Sequence, residues 1–509
     1  MKKPIVIIVL LFLFTAIYCF YFFGGYEGIG DGNDYAGLAR NINRGQGFTL
    51  GHIYPLSLAF DPNIPQPNNM WAPGYPLYLA IWFSILGAND TAAMLASIFA
   101  LWLLIIAGYL LGRKVLDERL GLIIAALIAL SQIVLYAAVE GTPEIFTGAI
   151  LAFSLLVIIG KQNMARIIIS GILFAISILT RYQIAIVGIP LAILFIENKK
   201  RFLPIWLIAV LFGISPWLLR NALVLGNPLF TLQSYGEFTK GMGRFDDFYS
   251  TYRSFTPMSI FYTVSHFPYD LAKKFAGGLI FLGGAFPLRF NFLGIIPFFF
   301  GLIKIDRLEG IQKKILLFAF ISSVLIIILS ALDGHHDRHL VPLQVFYAVS
   351  TMIGFILLAK EFKFFARKTL LIIFGLLLFL PARFPFQEFR LSSIAAENKG
   401  NRAVYSKITE AVKPDEVVIS DASDAIWWYA DRPSIWIPVH YDDLKTLLAR
   451  DDCYFIFLSR PSDFIKKLSN DEIADFAYST ELMLEMQEHG SLFRLKKAHS
   501  INGANRYGI

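Results

Sequence analysis

TAAMLASIFALWLLIIAGYLLGRK, residues 91–114, runs for twenty-two residues without a charge and then closes on an Arg-Lys pair. At 1.5 Å per residue, a helix of that uncharged length measures about 33 Å, enough to cross the hydrocarbon core of a bilayer. The pattern repeats along the chain. Further apolar runs lie near 4–23, 119–139, 143–160, 165–180, 182–196, 202–219, 291–304, 315–332, 340–358 and 369–384. Between them stand short basic clusters: Lys2-Lys3, Arg113-Lys114, Lys161 with Arg166, Lys199-Lys200-Arg201, Lys304 with Arg307, Lys313-Lys314, and Lys363 with Arg367-Lys368. With about eleven crossings every cluster falls on one side, and an excess of Lys and Arg marks the cytoplasmic side. The stretch 71–87, WAPGYPLYLAIWFSILG, would put later clusters outside if it were a span. It is therefore expected as an interfacial or re-entrant helix on the outer face, covered by protein or lining a wet cavity.

Composition points the same way. The 509 residues are 56% hydrophobic and 16% charged, with mean hydropathy +0.58, whereas a soluble chain carries roughly a quarter charged residues. The net charge of +7 resides in the clusters beside apolar runs, so it reads as membrane anchoring and excludes a nucleic-acid partner. Cys19 and Cys453 form neither a disulfide framework nor a metal motif. The N-terminal run has a basic head but no small-residue cleavage site before the glycines, and is expected as a retained first span.

On the outer side the reading leaves a loop at 24–70, a polar turn around Glu140–Glu144, a stretch from 221 to about 285, the cluster Asp333-Gly-His-His-Asp-Arg-His339, and the C-terminal region. That last region alternates strand-like pieces (EVVISD, SIWIPV, CYFIFLS, SLFRLKK) with helical ones (NRAVYSKITEAV, YDDLKTLLAR, SDFIKKLS). The expected fold is mostly α: a polytopic helical membrane domain over 1–385, then a small soluble α/β domain over 386–509 on the outer side.

Ionisable groups at the mouths of spans are costly and mark function. Here they share one face: Asp31 and Asp34, Glu140 and Glu144, Arg181, Arg220, and the Asp333–His339 cluster. Arginine suits a phosphate because its planar fork pairs with two oxygens. An aspartate within reach of a hydroxyl can take its proton.

Three groups of residues carry a family resemblance. The first is Gly30-Asp31-Gly-Asn-Asp34-Tyr35-Ala36 through Gly47-Phe48, followed by Ala72-Pro73-Gly74-Tyr75-Pro76. The second is Pro143-Glu144, then Pro216-Trp217 with Arg220-Asn221 and Gly226-Asn-Pro228; the third is Arg338-His-Leu-Val-Pro342. In order and spacing, over about 1–385, they resemble the polyprenyl-phosphate-sugar-dependent GT-C glycosyltransferases. That group includes the protein O-mannosyltransferases and lipid A aminoarabinose transferases. The resemblance implies an outward-facing site in the cell membrane where a polyprenyl-phosphate-linked sugar meets an acceptor lipid, glycan or protein. It implies Asp31 as catalytic base, Glu144 assisting the acceptor, and Arg338 on the lipid phosphate, with Arg220 or a histidine such as His336 as further contacts. Asp34 and Tyr35 fall in the same first-loop pattern. The chain departs from the pattern twice: Gly32 stands where many relatives have a second acid, and Trp71-Ala72 where some have a basic residue.

Plainer readings stand beside these. Asp31 also reads as a helix cap or turn residue, with Asp34 as the rival base, and Glu144 as a carboxylate complementing a helix dipole. Arg181 and Arg220 also read as interfacial anchors. His335, His336, Asp337 and His339 read as a solvated turn or as ligands for a divalent cation; no other cofactor is indicated. Trp427-Trp428-Tyr429 reads as packing of the small domain or as a sugar platform. Two other functions fit a polytopic chain. A lipid-linked glycan polymerase or ligase would centre its chemistry on a long late loop. A transporter or flippase would show paired half-repeats with charges at mid-membrane. Here no repeat occurs and the charges crowd one mouth.

Overall fold

The computed structural model describes residues 2–23, 31–240, 242, 258–290, 294–333, 336–362, 404–459, 463–485 and 490–496. The expected span at 369–384 and the expected domain boundary at 385/386 lie outside the described residues.

The chain forms two compact units. The first is helical. Its principal helices are α1 (Lys2–Phe23), α2 (Asp31–Asn43), α3 (Gly74–Leu86), α4 (Asp90–Val115), α5 (Glu118–Ala129), α6 (Gln132–Val139), α7 (Glu144–Ile158), α8 (Met164–Thr180), α9 (Lys199–Leu225), α10 (Pro268–Ala285), α11 (Gly310–Leu332) and α12 (Gln344–Glu361). Local signals set their starts. The side chains of Asn89, Asp117 and Asn163 accept from the backbone N–H groups of Ala92, Leu120 and Arg166, capping α4, α5 and α8. Gly226, in the left-handed region at φ 73, closes α9.

Among the described residues six helices are long and apolar enough to cross a membrane, or seven if α5 and α6, bent by 52°, make one broken span. Four shorter apolar helices, Gly74–Leu86, Glu144–Ile158, Met164–Thr180 and Tyr182–Phe195, correspond to runs read from the sequence. Large side chains on the outside of α9, Ile208, Phe212 and Leu223, stay 65%, 73% and 76% exposed, as lipid-facing residues would. The chain is a multi-pass membrane protein.

Inside the unit α4 packs on α5 and α7, α7 on α8, and α8 on α9. The 3-10 turn Asp337–Leu343 leads into α12 and packs against α7. Gly148 makes that approach possible: a Cβ there would lie 2.9 Å from the Pro342 carbonyl oxygen and 3.1 Å from its Cα. The absence of a side chain thus brings the start of α7 beside the turn that carries Arg338.

The second unit is α/β. Among the described residues its main sheet has six strands, β1 (His52–Ile53), β2 (Val417–Ser420), β3 (Ser434–Trp436), β4 (Cys453–Ser459), β5 (Thr480–Glu485) and β6 (Gly490–Leu495), in the spatial order β1-β3-β2-β4-β6-β5. The first three pairings are parallel and the last two antiparallel. Each strand-like piece read in the C-terminal region is a strand here. Residues Leu50–Gln66 depart from the expected domain division. They belong to the second unit, where His52 and Ile53 pair in parallel with Ser434 and Ile435 and the Pro62 carbonyl accepts from Arg450 at 2.9 Å. The core of this unit gathers Tyr405, Ile408, Val418, Ile426, Phe455 and Leu492. Trp427 and Trp428 are buried, and Tyr429 stacks on Tyr405 at 5.5 Å, so this aromatic run packs the small unit.

Candidate functional site

Four charged side chains from four separate elements meet in the helical unit. Asp31 is the first residue of α2, where it and Asp34 occupy the turn that favours negative charge. Its Oδ2 lies 2.5 Å from Nη2 of Arg338, in the turn before α12. Glu144 is the first residue of α7, following Pro143. Its Oε1 lies 2.8 Å from Nη1 of Arg181, which ends α8, and 3.8 Å from Nε of Arg338. The set is graded in depth. The Glu144 and Arg181 side chains are 1% and 8% exposed, whereas Asp31 and Arg338 are 13% and 34% exposed. The inner pair is held away from water and the outer pair forms the mouth. Removing two charges from water costs several kcal/mol per ion unless the geometry repays it, so the inner pair is an expensive way to join two helices. Glu144 Oε2 moreover has no hydrogen-bond partner among the described residues. A buried carboxylate oxygen with spare accepting capacity, next to two arginines, is suited to a polar ligand.

Neighbouring residues hold these groups in place. Arg289, at the end of a short turn after α10, pairs with Asp337, next in sequence to Arg338. The Arg289 backbone carbonyl accepts from Gln344 Nε2 at 2.7 Å. His339 Nδ1 lies 2.8 Å from Ser330 Oγ on α11. On the other side, a Cβ at Gly32 would lie 3.1 Å from the Glu140 carbonyl oxygen. Position 32, where the family resemblance leads one to expect a second acid, is thus crowded by the turn between α6 and α7. The Glu140 carboxyl in that turn is pushed up to about 7, first by burial and further by Glu144 and Asp31, against a lowering hydrogen bond from Tyr136 and the charge of Arg338.

Tyr35 is buried, edge-on to Tyr75 at 5.3 Å and tilted on Trp71 at 5.0 Å. Burial raises its phenol well above the usual range; Asp31 and Glu144 add to the rise and Arg181 and Arg338 oppose it. Asp34 is fully buried, and its Oδ2 accepts from Trp71 Nε1 at 3.1 Å. Asn68 fixes that indole in turn: its Oδ1 accepts from the Trp71 N–H at 2.9 Å and its Nδ2 donates to the Trp71 carbonyl at 2.7 Å. Arg220 completes the chain by donating to the carbonyls of Asn68, at 2.7 Å, and Phe48, at 3.4 Å, while lying 4.8 Å over the Trp217 ring.

The structure therefore brings Asp31, Glu144 and Arg338 together as the sequence pattern suggests, with Tyr35 in their field. Asp34 lies on the Trp71 side, tied into the packing. The contacts described for Arg220 are with backbone carbonyls, Asn221 Oδ1 and the Trp217 ring. His336 stands half-buried with its ring 5.4 Å from that of His339; His335 lies outside the described residues. Arg181 was among the ionisable groups read on one face, but it was also open to reading as an interfacial anchor because nothing local ties it to Glu144. Arg289 carried no signal beyond a charge near an apolar stretch. Among the described residues no three His, Cys, Asp or Glu side chains group so as to hold a metal ion, and both central carboxylates already face guanidinium groups.

A family profile described as dolichyl-phosphate-mannose-protein mannosyltransferase matches residues 70–219. No curated protein matches the sequence. The fold is similar to that of ArnT from Cupriavidus metallidurans bound to undecaprenyl phosphate, with a TM-score of 0.60 at 14% identity over 96% of this chain and 97% of that one. It is also similar to the archaeal oligosaccharyltransferase AglB from Archaeoglobus fulgidus in complex with an inhibitory peptide and a dolichol-phosphate. There the TM-score is 0.51 at 14% identity, over 89% of this chain and 69% of the other.

Proposed function

We propose that the chain is a GT-C-type membrane glycosyltransferase that transfers a sugar from a polyprenyl phosphate to an acceptor hydroxyl on the extracytoplasmic face, a reading supported by the mannosyltransferase profile over residues 70–219 and by the ArnT-like fold. The observation that carries this reading is the meeting of Asp31, Glu144, Arg181 and Arg338, with Asp31 2.5 Å from Arg338 at the open mouth.

The chemistry follows from that arrangement. In the resting state the Arg338 fork is occupied by Asp31. A donor phosphate competes for the same guanidinium and, on taking it, releases the carboxylate toward the acceptor. Asp31 then accepts the acceptor's hydroxyl proton. The acceptor oxygen bonds to the anomeric carbon as the bond from that carbon to the phosphate oxygen breaks, inverting the centre. The bonding pair leaves on the polyprenyl phosphate, whose charge Arg338 meets. Such a leaving group needs little protonation, so a base and a fixed positive charge suffice. Glu144, held by Arg181, presents its spare oxygen to orient the acceptor.

The test is a product assay in membranes with a panel of radiolabelled polyprenyl-phosphate sugars. The reading expects transfer from at least one donor that is lost in Arg338→Ala. No transfer from any polyprenyl-phosphate sugar would overturn it. The orientation in this proposal, N-terminus cytoplasmic and second unit outside, rests on the basic clusters. A cysteine at the exposed position Lys413 should react with an impermeant thiol reagent added from outside, and labelling only from the cytoplasmic side would reverse it.

A further inference from the structure

A groove of about 560 Å³ opens between the ends of α4, α7 and α8 that lie opposite the charged site. From Glu144 to Leu156 along α7, and from Arg166 to the end of α8, the rise is about 20 Å, so the groove sits near the other membrane boundary. Its wall is apolar, built from Leu110, Phe153 and Ile169 among others, and its rim carries Arg113, Lys114 and Arg166. None of its lining residues is acidic. Lys114 Nζ donates to the Leu156 carbonyl at 3.2 Å and to that of Ile159, closing the C-terminal end of α7. The Arg166 side chain donates to the Lys161 carbonyl at 3.3 Å, and Arg113 rests 5.8 Å over the Tyr109 ring. The nearest carboxylate in sequence, Asp117, is engaged in capping α5.

We propose that this groove binds an anionic phospholipid of the surrounding bilayer. Three cations around one apolar slot, at the level where two apolar helices meet basic residues, match a phosphodiester headgroup with acyl chains below it. Basic pockets between transmembrane helices on that side of a membrane recognise such headgroups, and the volume lies within the range of about 300–1,000 Å³ usual for small-molecule sites. The site rests on residues separate from the charged cluster and does not depend on the reaction proposed there.

The experiment is native mass spectrometry of the purified full chain in detergent, titrated with phosphatidylglycerol, phosphatidylcholine, a polyprenyl phosphate or inorganic phosphate. Tighter binding of phosphatidylglycerol than of phosphatidylcholine is expected, with no displacement by inorganic phosphate at the same concentration. The double variant Arg113→Gln/Arg166→Gln should bind phosphatidylglycerol about thirty-fold more weakly while melting at the wild-type temperature in lipid-free detergent. Equal affinity for the two phospholipids, displacement by phosphate, or an unchanged double variant would each overturn the assignment. Polyprenyl phosphate binding that the double variant loses would make the groove a substrate station instead. If the double variant does not fold, the wild-type comparison of the two phospholipids decides alone.

Discussion

Asp31→Asn removes one charge at nearly constant volume and leaves an oxygen to accept from Arg338. The carboxylate it replaces lies 2.5 Å from Arg338 Nη2, with the two side chains 13% and 34% exposed, so water screens the pair only in part. The stability cost should therefore stay within the range of about 0.5–3 kcal/mol usual for single substitutions. The catalytic loss is much larger, because amide oxygen cannot take a proton at neutral pH and general bases contribute about 10²- to 10⁴-fold in rate. Donor binding should hold or tighten, since Arg338 loses a charged competitor for the phosphate. The assay is initial-rate transfer in proteoliposomes at saturating donor, with donor affinity measured separately. Asp34→Asn is the control: Asn keeps an acceptor for Trp71 Nε1, so transfer should fall far less. Near-normal turnover in Asp31→Asn would refute the reasoning. A dead Asp34→Asn beside an active Asp31→Asn would move the base three residues along, onto the group now seen against Trp71.

Arg338→Lys keeps the charge but not the planar fork, so donor affinity should fall at unchanged expression; unaltered affinity in Arg338→Ala would remove this residue from the donor site. Gly148→Ala places a methyl 2.9 Å from the Pro342 carbonyl oxygen, and overpacking of that kind costs about 1–3 kcal/mol. Thermal unfolding in detergent should show that loss, with reduced transfer as Glu144 and Arg338 are pushed apart. The Glu140 carboxyl, raised to about 7 by burial, binds a proton in the folded protein where the unfolded chain has lost it. Stability should therefore fall as pH rises from about 4.5 through 7, by at most about 3 kcal/mol. Glu140→Gln should flatten that slope, which melting curves across the range would reveal.

How far the site was legible depended on whether the signal was local. Asp31 and Glu144 stand beside a glycine or proline at the mouths of apolar runs, and Arg338 stands four residues before Pro342 at another, so the pattern groups them on one side of a membrane without any knowledge of packing. Gly32 and Trp71, which look like losses when compared with a motif, have structural roles. Gly32 lets α2 approach the Glu140 carbonyl, and Trp71 donates to Asp34. Arg220 shows the opposite limit. Its position at the end of a span suggested a phosphate ligand, and the oxygens it meets are the Asn68 and Phe48 carbonyls and Asn221 Oδ1. A free carbonyl and a bound phosphate attract the same guanidinium, and sequence does not tell them apart.

The sequence by itself determined that this is a multi-pass helical chain with a small α/β region, because hydropathy and strand alternation are periodic along the chain and bilayer thickness imposes a length. It also determined which side of the helices carries the ionisable groups. Only the tertiary structure decided the pairings: Asp31 with Arg338, Glu144 with Arg181, and Arg289 with Asp337. It alone decided that His52 and Ile53 join the sheet of the second unit beside Ser434 and Ile435. Each of these joins groups far apart in the chain, and the close approaches that allow them, such as the bare Cα of Gly148 against Pro342, depend on shape matched across elements, which no local pattern of residues encodes.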